Sequence, residues 1–202
     1  MKEARIQPWR PFKGKKFSET KVLILSESAY SWHDDGGNLV IPSSSHPSGS
    51  LNYWGIKHFC EQKYFTAMGR ALCGKKTPTT AELKRVWNEY AYSIYVQGTV
   101  GLGAGSKATP KNFRDSGYHF LRLIEKIRPL RVIVTGKGMW NQMPPCTGPH
   151  RGDFLQAYML ADGALVWCLA VPHPSNRREG FRWEEVGESI RNFITAKLPL
   201  RD

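Results

Sequence analysis

The run Lys21-Val22-Leu23-Ile24-Leu25 is continuously apolar and rich in β-branched residues, and it gives way at once to Ser26-Glu27-Ser28-Ala29-Tyr30. A strand of this kind has no polar side to turn to water, so it is read as buried on both faces. In open parallel sheets the segment just past its carboxyl end is where ligands bind. The pattern returns in Leu130-Arg131-Val132-Ile133-Val134-Thr135-Gly136 and in Ala164-Leu165-Val166-Trp167-Cys168-Leu169-Ala170-Val171, and Tyr90 to Gln97 alternates enough to make another strand. Helical spacing fills the intervals. It covers residues 54–73, 80–89 with Thr79 or Thr80 as the cap, 112–127 up to a stop at Pro129, and a closing stretch 183–198. Strands alternating with helices predict an α/β fold, a three-layer α/β/α sandwich around a central, mostly parallel four-stranded sheet.

Residues 1–20 carry six Lys or Arg against two Glu and read as a basic amino-terminal arm; residues 21–202 read as one domain. Residues 31–52 are dominated by turn formers and are expected to be a long surface loop, as is the glycine-rich, basic stretch 98–107. No apolar run approaches the roughly 20 residues of a membrane span, and Met1-Lys2-Glu3-Ala4-Arg5 lacks the apolar core of a secretory signal. The expectation is therefore a cytoplasmic protein with no membrane partner. Cys60, Cys73, Cys146 and Cys168 contain no C-x-x-C pair, so free structural thiols are expected, with no metal and no cofactor.

Charge narrows the partner. The chain has 29 Lys plus Arg against 17 Asp plus Glu, a net +12. A basic face releases counterions from phosphates and so binds DNA or RNA without regard to sequence, whereas the same surplus spread evenly serves only solubility; composition leaves both readings open. The motifs favour the first. Two polar elbows, Ser26 to Tyr30 and His173 to Ser175, each follow a buried strand and can open into one cleft at the carboxyl edge of the sheet. A histidine there can donate to a developing oxyanion, and the small Ser175 with neighbouring amides can hold a phosphate; the alternative for His173 is a turn histidine bonded to a backbone carbonyl.

From Lys21 to about Ile194 the sequence resembles the uracil-DNA glycosylase superfamily, on three segments: Leu25-Ser26-Glu27-Ser28-Ala29-Tyr30, Val132-Ile133-Val134-Thr135-Gly136-Lys137-Gly138-Met139-Trp140 and Pro172-His173-Pro174-Ser175-Asn176-Arg177-Arg178. The last is the most specific, because that family places a His-Pro-Ser turn after its final strand. The resemblance implies a DNA glycosylase of base excision repair that flips a nucleotide out of the stack and hydrolyses its N-glycosidic bond, working as a monomer on uracil-containing or otherwise deaminated DNA. His173 would steady the departing base near its O2, Glu27 or Ser28 would handle water, and Tyr30 would shape the pocket with Tyr92, Tyr95 and Gln97. Ser43, Lys137, Ser175, Arg177 and Arg178 would contact DNA.

The motif's Gly and Pro are missing from the first elbow, the Ser28 hydroxyl stays protonated at neutral pH, and Ile94 stands about where many relatives carry the pyrimidine-reading Asn. Asp34 and Asp35 are further carboxylate candidates beside Glu27, although Asp34-Asp35-Gly36-Gly37 is also good turn chemistry. Trp32 joins the aromatics able to stack on an extruded base, while Tyr92 and Tyr95 also suit core positions on opposite faces of a strand. Gly101-x-Gly103-x-Gly105 lacks dinucleotide-fingerprint spacing, and no phosphate loop or G-x-S-x-G elbow occurs. Two rival readings are a non-catalytic module of the same fold that binds damaged DNA, and a hydrolase of free nucleosides or nucleotides. Uracil, hypoxanthine, xanthine and oxidised pyrimidines all remain open as the base.

Overall fold

The computed structural model describes residues 8–103 and 105–201. Its centre is β2 (Val22–Ser26), every residue of which is buried. Val22 and Ile24 enter one apolar cluster and Leu23 and Leu25 the other. That alternation requires cover on both faces. One face receives α3 (Lys63–Cys73), α4 (Thr80–Trp87) and α7 (Trp183–Thr195), through Met68, Leu83, Trp87 and Ile190. The other receives α5 (Pro110–Ile127) and the short α6 (Lys137–Trp140), through Phe120, Ile124 and Met139. Helix starts follow local chemistry: Thr79 and Thr109 each close a capping box over α4 and α5.

The sheet is mixed and six-stranded where four strands were expected. Its order is β1 (Phe12–Lys13), β5 (Ala91–Ile94), β2, β7 (Arg131–Thr135), β9 (Leu165–Val171) and β8 (Leu155–Met159). β2 runs parallel to β5 and β7, and β7 parallel to β9, while β1 and β8 are antiparallel edges. From β2 the chain travels out to β5 by way of α3 and α4, and from β7 it leaves in the opposite direction toward β9. Adjacent strands whose connections diverge mark a topological switch point, here at the carboxyl ends of β2 and β7, at Ser26 and Thr135.

Three further expectations are corrected. The supposed arm is built into the fold from residue 8 onward, while residues 1–7 lie outside the described residues. Trp9 is buried, its indole N–H donates to the Val96 carbonyl at 2.6 Å, its backbone N–H donates to Gln97 Oε1 at 2.7 Å, and Phe17, in the one-turn α1 (Phe17–Thr20), is also core. The expected loops at 31–52 and 98–107 contribute a small second sheet above the carboxyl edge. In it β3 (Ala29–His33) pairs antiparallel with β4 (Leu39–Val40) and parallel with β6 (Thr99–Leu102). The helix expected over 54–73 is two segments. A turn, α2 (His46–Ser50), runs into π-helical turns over Leu51–Lys57. The chain then breaks at Cys60, whose φ is 83°, and α3 restarts with Gln62 accepting from the Phe65 N–H.

Because Trp9 ties the edge of the sheet to the end of β5, Trp9→Ala is expected to cost about 3–5 kcal/mol, read as a lowered urea midpoint with an unchanged slope.

Candidate active site

The two elbows do meet the same edge. His173 follows β9, Glu27 follows β2, and β7 lies between them, so their strand axes stand about 10 Å apart. Beneath them the ends of the strands are joined by buried hydroxyls. Thr135 Oγ1 donates to the Leu25 carbonyl at 2.9 Å and lies 3.1 Å from the Tyr64 hydroxyl, while Ser26 Oγ and the Tyr92 hydroxyl are 2.9 Å apart. Burial pushes the Tyr64 phenol well up and that of Tyr92 to about 12, so both remain neutral hydroxyls.

His173 is half-buried, 6.0 Å ring to ring from Tyr64. The backbone N–H of Ser175 donates to its Nδ1 at 3.1 Å. Desolvation lowers the imidazole pKa below its ordinary 6.5, against a smaller upward pull from Glu179. The ring is therefore neutral at pH 7. With Nδ1 already accepting, its single proton sits on Nε2, which makes Nε2–H a donor. Gly136, with φ of 133°, packs against this ring: a Cβ there would lie 3.3 Å from His173 Cδ2. The glycine thus serves both the turn out of β7 and the close approach of the histidine.

The residue that holds this arrangement together was not anticipated. Glu179 accepts from the backbone N–H of His173 at 2.7 Å and of Lys137 at 3.0 Å, through the same Oε2, and its Oε1 accepts from Asn176 Nδ2 at 3.2 Å. One carboxylate thereby fastens the turn after β9 to the turn after β7. An acid six residues beyond the histidine was the sole sequence signal for it. Burial, with the nearby Glu179 charge adding to it, raises the Glu27 carboxyl above its ordinary 4.5. Glu27 is bound to the fold by its backbone, its carbonyl accepting from the Val96 N–H at 2.9 Å.

The other anticipated residues separate into two groups. Ser28 and Tyr30 are half-buried beside Glu27, with Tyr30 on β3. Lys137 stands at the edge after β7, its ammonium 4.3 Å from the centre of the Phe154 ring. Ser175 and Arg178 are exposed on the turn after His173, and the Arg177 side chain lies outside the described residues.

Elsewhere Tyr92, Tyr95, Asp34 and Asp35 take the core and turn positions that were their alternative readings, and Gln97 is engaged within the fold. Tyr92 is core, and Tyr95 is packed on the opposite face against Phe113 and Phe120, its hydroxyl donating to the Phe113 carbonyl. Gln97 donates from its side-chain Nε2 to the Ile94 and Tyr95 carbonyls and accepts from the Trp9 N–H, so both of its amide N–H donors are taken within the fold. Ser43 is exposed and bonded to Ser45. Asp34 accepts from the Gly36 and Asn38 N–H groups, bonds that hold its carboxyl below the ordinary value, and Asp35 is exposed in the same turn. Those two acids are turn formers. Trp32 is partly exposed, 6.1 Å from the half-buried His46.

All four cysteines are unpaired. Among the described residues no three His, Cys, Asp or Glu side chains gather to hold a metal ion, and no helix is long and apolar enough to cross a membrane. No protein-family model matches the chain, and no curated protein matches it.

A carboxyl whose pKa is raised by folding stabilises the fold fully below its unfolded pKa and loses that contribution as pH rises through the folded value. Glu27→Gln is therefore expected to raise the Tm at pH 7. The gain should vanish on acidification below pH 4.5, as followed by thermal melts across pH.

Proposed function

We propose that this chain is a DNA glycosylase, hydrolysing the N-glycosidic bond of uracil or a related deaminated base in DNA. On this reading the parallel strands β5, β2, β7 and β9, with helices on both faces, are the catalytic core of a three-layer α/β/α domain. The observation that carries the proposal is the Ser175 N–H bonded to Nδ1 of His173, which leaves Nε2 as the donor at the same sheet edge as the half-buried Glu27.

The chemistry asked of these two groups is small. As the C1′–N bond breaks, its electrons pass to the base, and a preset neutral donor at O2 stabilises that anion without first giving up a proton. The Glu27 carboxylate faces the sugar cation and takes the proton of the attacking water, a role that its raised pKa suits. Its negative charge also stabilises the cation before water arrives. Extruding the nucleotide costs a few kcal/mol, which phosphate contacts must offset, and the net +12 of the chain favours a polyanionic substrate. Ser28 remains a polar neighbour of the water, not its base. Tyr30 is the aromatic nearest Glu27 in the chain, and it shapes the pocket in place of Tyr92, Tyr95 and Gln97.

Alkali cleavage of labelled duplexes carrying a single uracil, hypoxanthine or xanthine names the base. His173→Ala is expected to lower its release by about 100-fold or more, with an unchanged melting temperature at pH 7. Tight binding of the modified duplex without release of any base would replace the enzyme with a damage-binding module.

The pH dependence gives a second check. Ionised Glu27 and neutral His173 both require that release fall on acidification. The Glu27 limb is expected above pH 4.5, the His173 limb below 6.5, and Glu27→Gln should abolish the first of them in single-turnover rates.

A further inference from the structure

A groove of about 530 Å³ lies beside the His173 turn, between α3 and the segment 174–183, and the reading above makes no use of it. Its α3 wall is a single stripe, Lys63, Thr66, Ala67 and Arg70, at spacing i, i+3, i+4 and i+7. Such a stripe keeps one face of a helix over about 10 Å, roughly three nucleotide steps along a DNA strand. Small side chains fill its middle and cations stand at both ends. The opposite wall supplies Arg182 and the exposed Ser175, two residues from His173.

The charged residues that line the groove are all cationic. None of the twelve lining residues is Asp or Glu, and among the described residues neither Lys63 nor Arg70 has a carboxylate partner. Arg182 reaches Glu185 at 3.2 Å, but both side chains are largely exposed. The Nε of Arg70 is buried without any hydrogen-bond partner. That nitrogen is closed off from the groove, but Arg70 as a whole is only half-buried and lines it, and a planar, permanently charged guanidinium suits phosphate oxygens.

We propose that this groove is a phosphate-binding site, with Lys63, Arg70 and Arg182 holding a phosphoryl group. Resting on the glycosylase reading, the group is a backbone phosphate of the strand whose nucleotide enters the His173 site. Thr66 and Ala67 leave room for the backbone to lie along α3, and Ser175 joins the groove to the catalytic turn.

The test uses the whole chain and an unmodified duplex, measured by fluorescence anisotropy over a range of salt, with Lys63→Gln, Arg70→Gln and the double variant. The double variant is expected to bind about tenfold more weakly and to lose about 2 from the slope of log K against log salt. Lys63 is exposed, so the single Lys63→Gln variant, losing about 1 from the slope, keeps the test valid if Arg70→Gln unfolds. Inorganic phosphate, titrated while backbone amide signals of Ser175 and Gly180 are followed by NMR, is expected to shift them in the native chain and not in the variants. Phosphate shifts with unaltered DNA binding would keep the site and reassign it to a free phosphate ligand. Unaltered DNA binding with no phosphate shift overturns the proposal. Base release at saturating DNA is scored separately. Its complete absence in the native chain sinks the glycosylase reading, while the anisotropy and NMR data still decide the groove.

Discussion

A strand that is dry on both faces and central in its sheet has every backbone group and every side chain committed, and β2 is such a strand. Its amides and carbonyls are taken up by β5 on one edge and β7 on the other, in parallel register over Leu23–Ser26 and Val22–Leu25. Its side chains divide between two clusters that are completed by different helices. Parallel neighbours require long crossovers, and with one crossover on each side the connections diverge at the carboxyl ends of β2 and β7. The switch point, the two turns on either side of it and the bonded hydroxyls of Ser26, Thr135, Tyr64 and Tyr92 beneath it all follow from that commitment.

At this edge a single carboxylate fastens the turns together and adds a secondary electrical influence. Glu179 satisfies two backbone N–H groups that would otherwise be left at the mouth of the site, and it thereby fixes the turn that carries His173. Its charge also reaches both titratable groups of the site. It adds to the burial that raises Glu27, and it partly offsets the burial that lowers His173. Desolvation is the larger cause in each case, so the protonation states come chiefly from how much of each group the fold covers, and Glu179 trims them.

The parts legible in the sequence were those with one dominant physical term. Unbroken apolar runs identified β2, β7 and β9, and the polar residues that ended them marked Glu27 and His173. Asp34 was legible as a turn former because its bonds are local. What depended on distant neighbours was not legible. Gln97 turns to Trp9 because of how the amino-terminal residues lie along β5, which no local pattern encodes. Tyr64 looks like any helical aromatic until α3 is laid against β7. β8, with Gln156 inside Leu155–Met159, lacks the apolar continuity of a buried strand because it is an edge. The single helix read over 54–73 failed at Cys60, where a left-handed residue without glycine gave no warning.

The amino-terminal strap has a bearing on how the molecule behaves in company. β5 would be an open edge without β1, offering a ladder of unpaired amides to any passing strand. The strap covers it with only two paired residues, Phe12 and Lys13, and flanks them with Pro11 and the anchored Trp9. A pair so short is a poor template, and the proline has no N–H to offer. Sheet-to-sheet association between copies is thus discouraged on that side by the same residues that close the core.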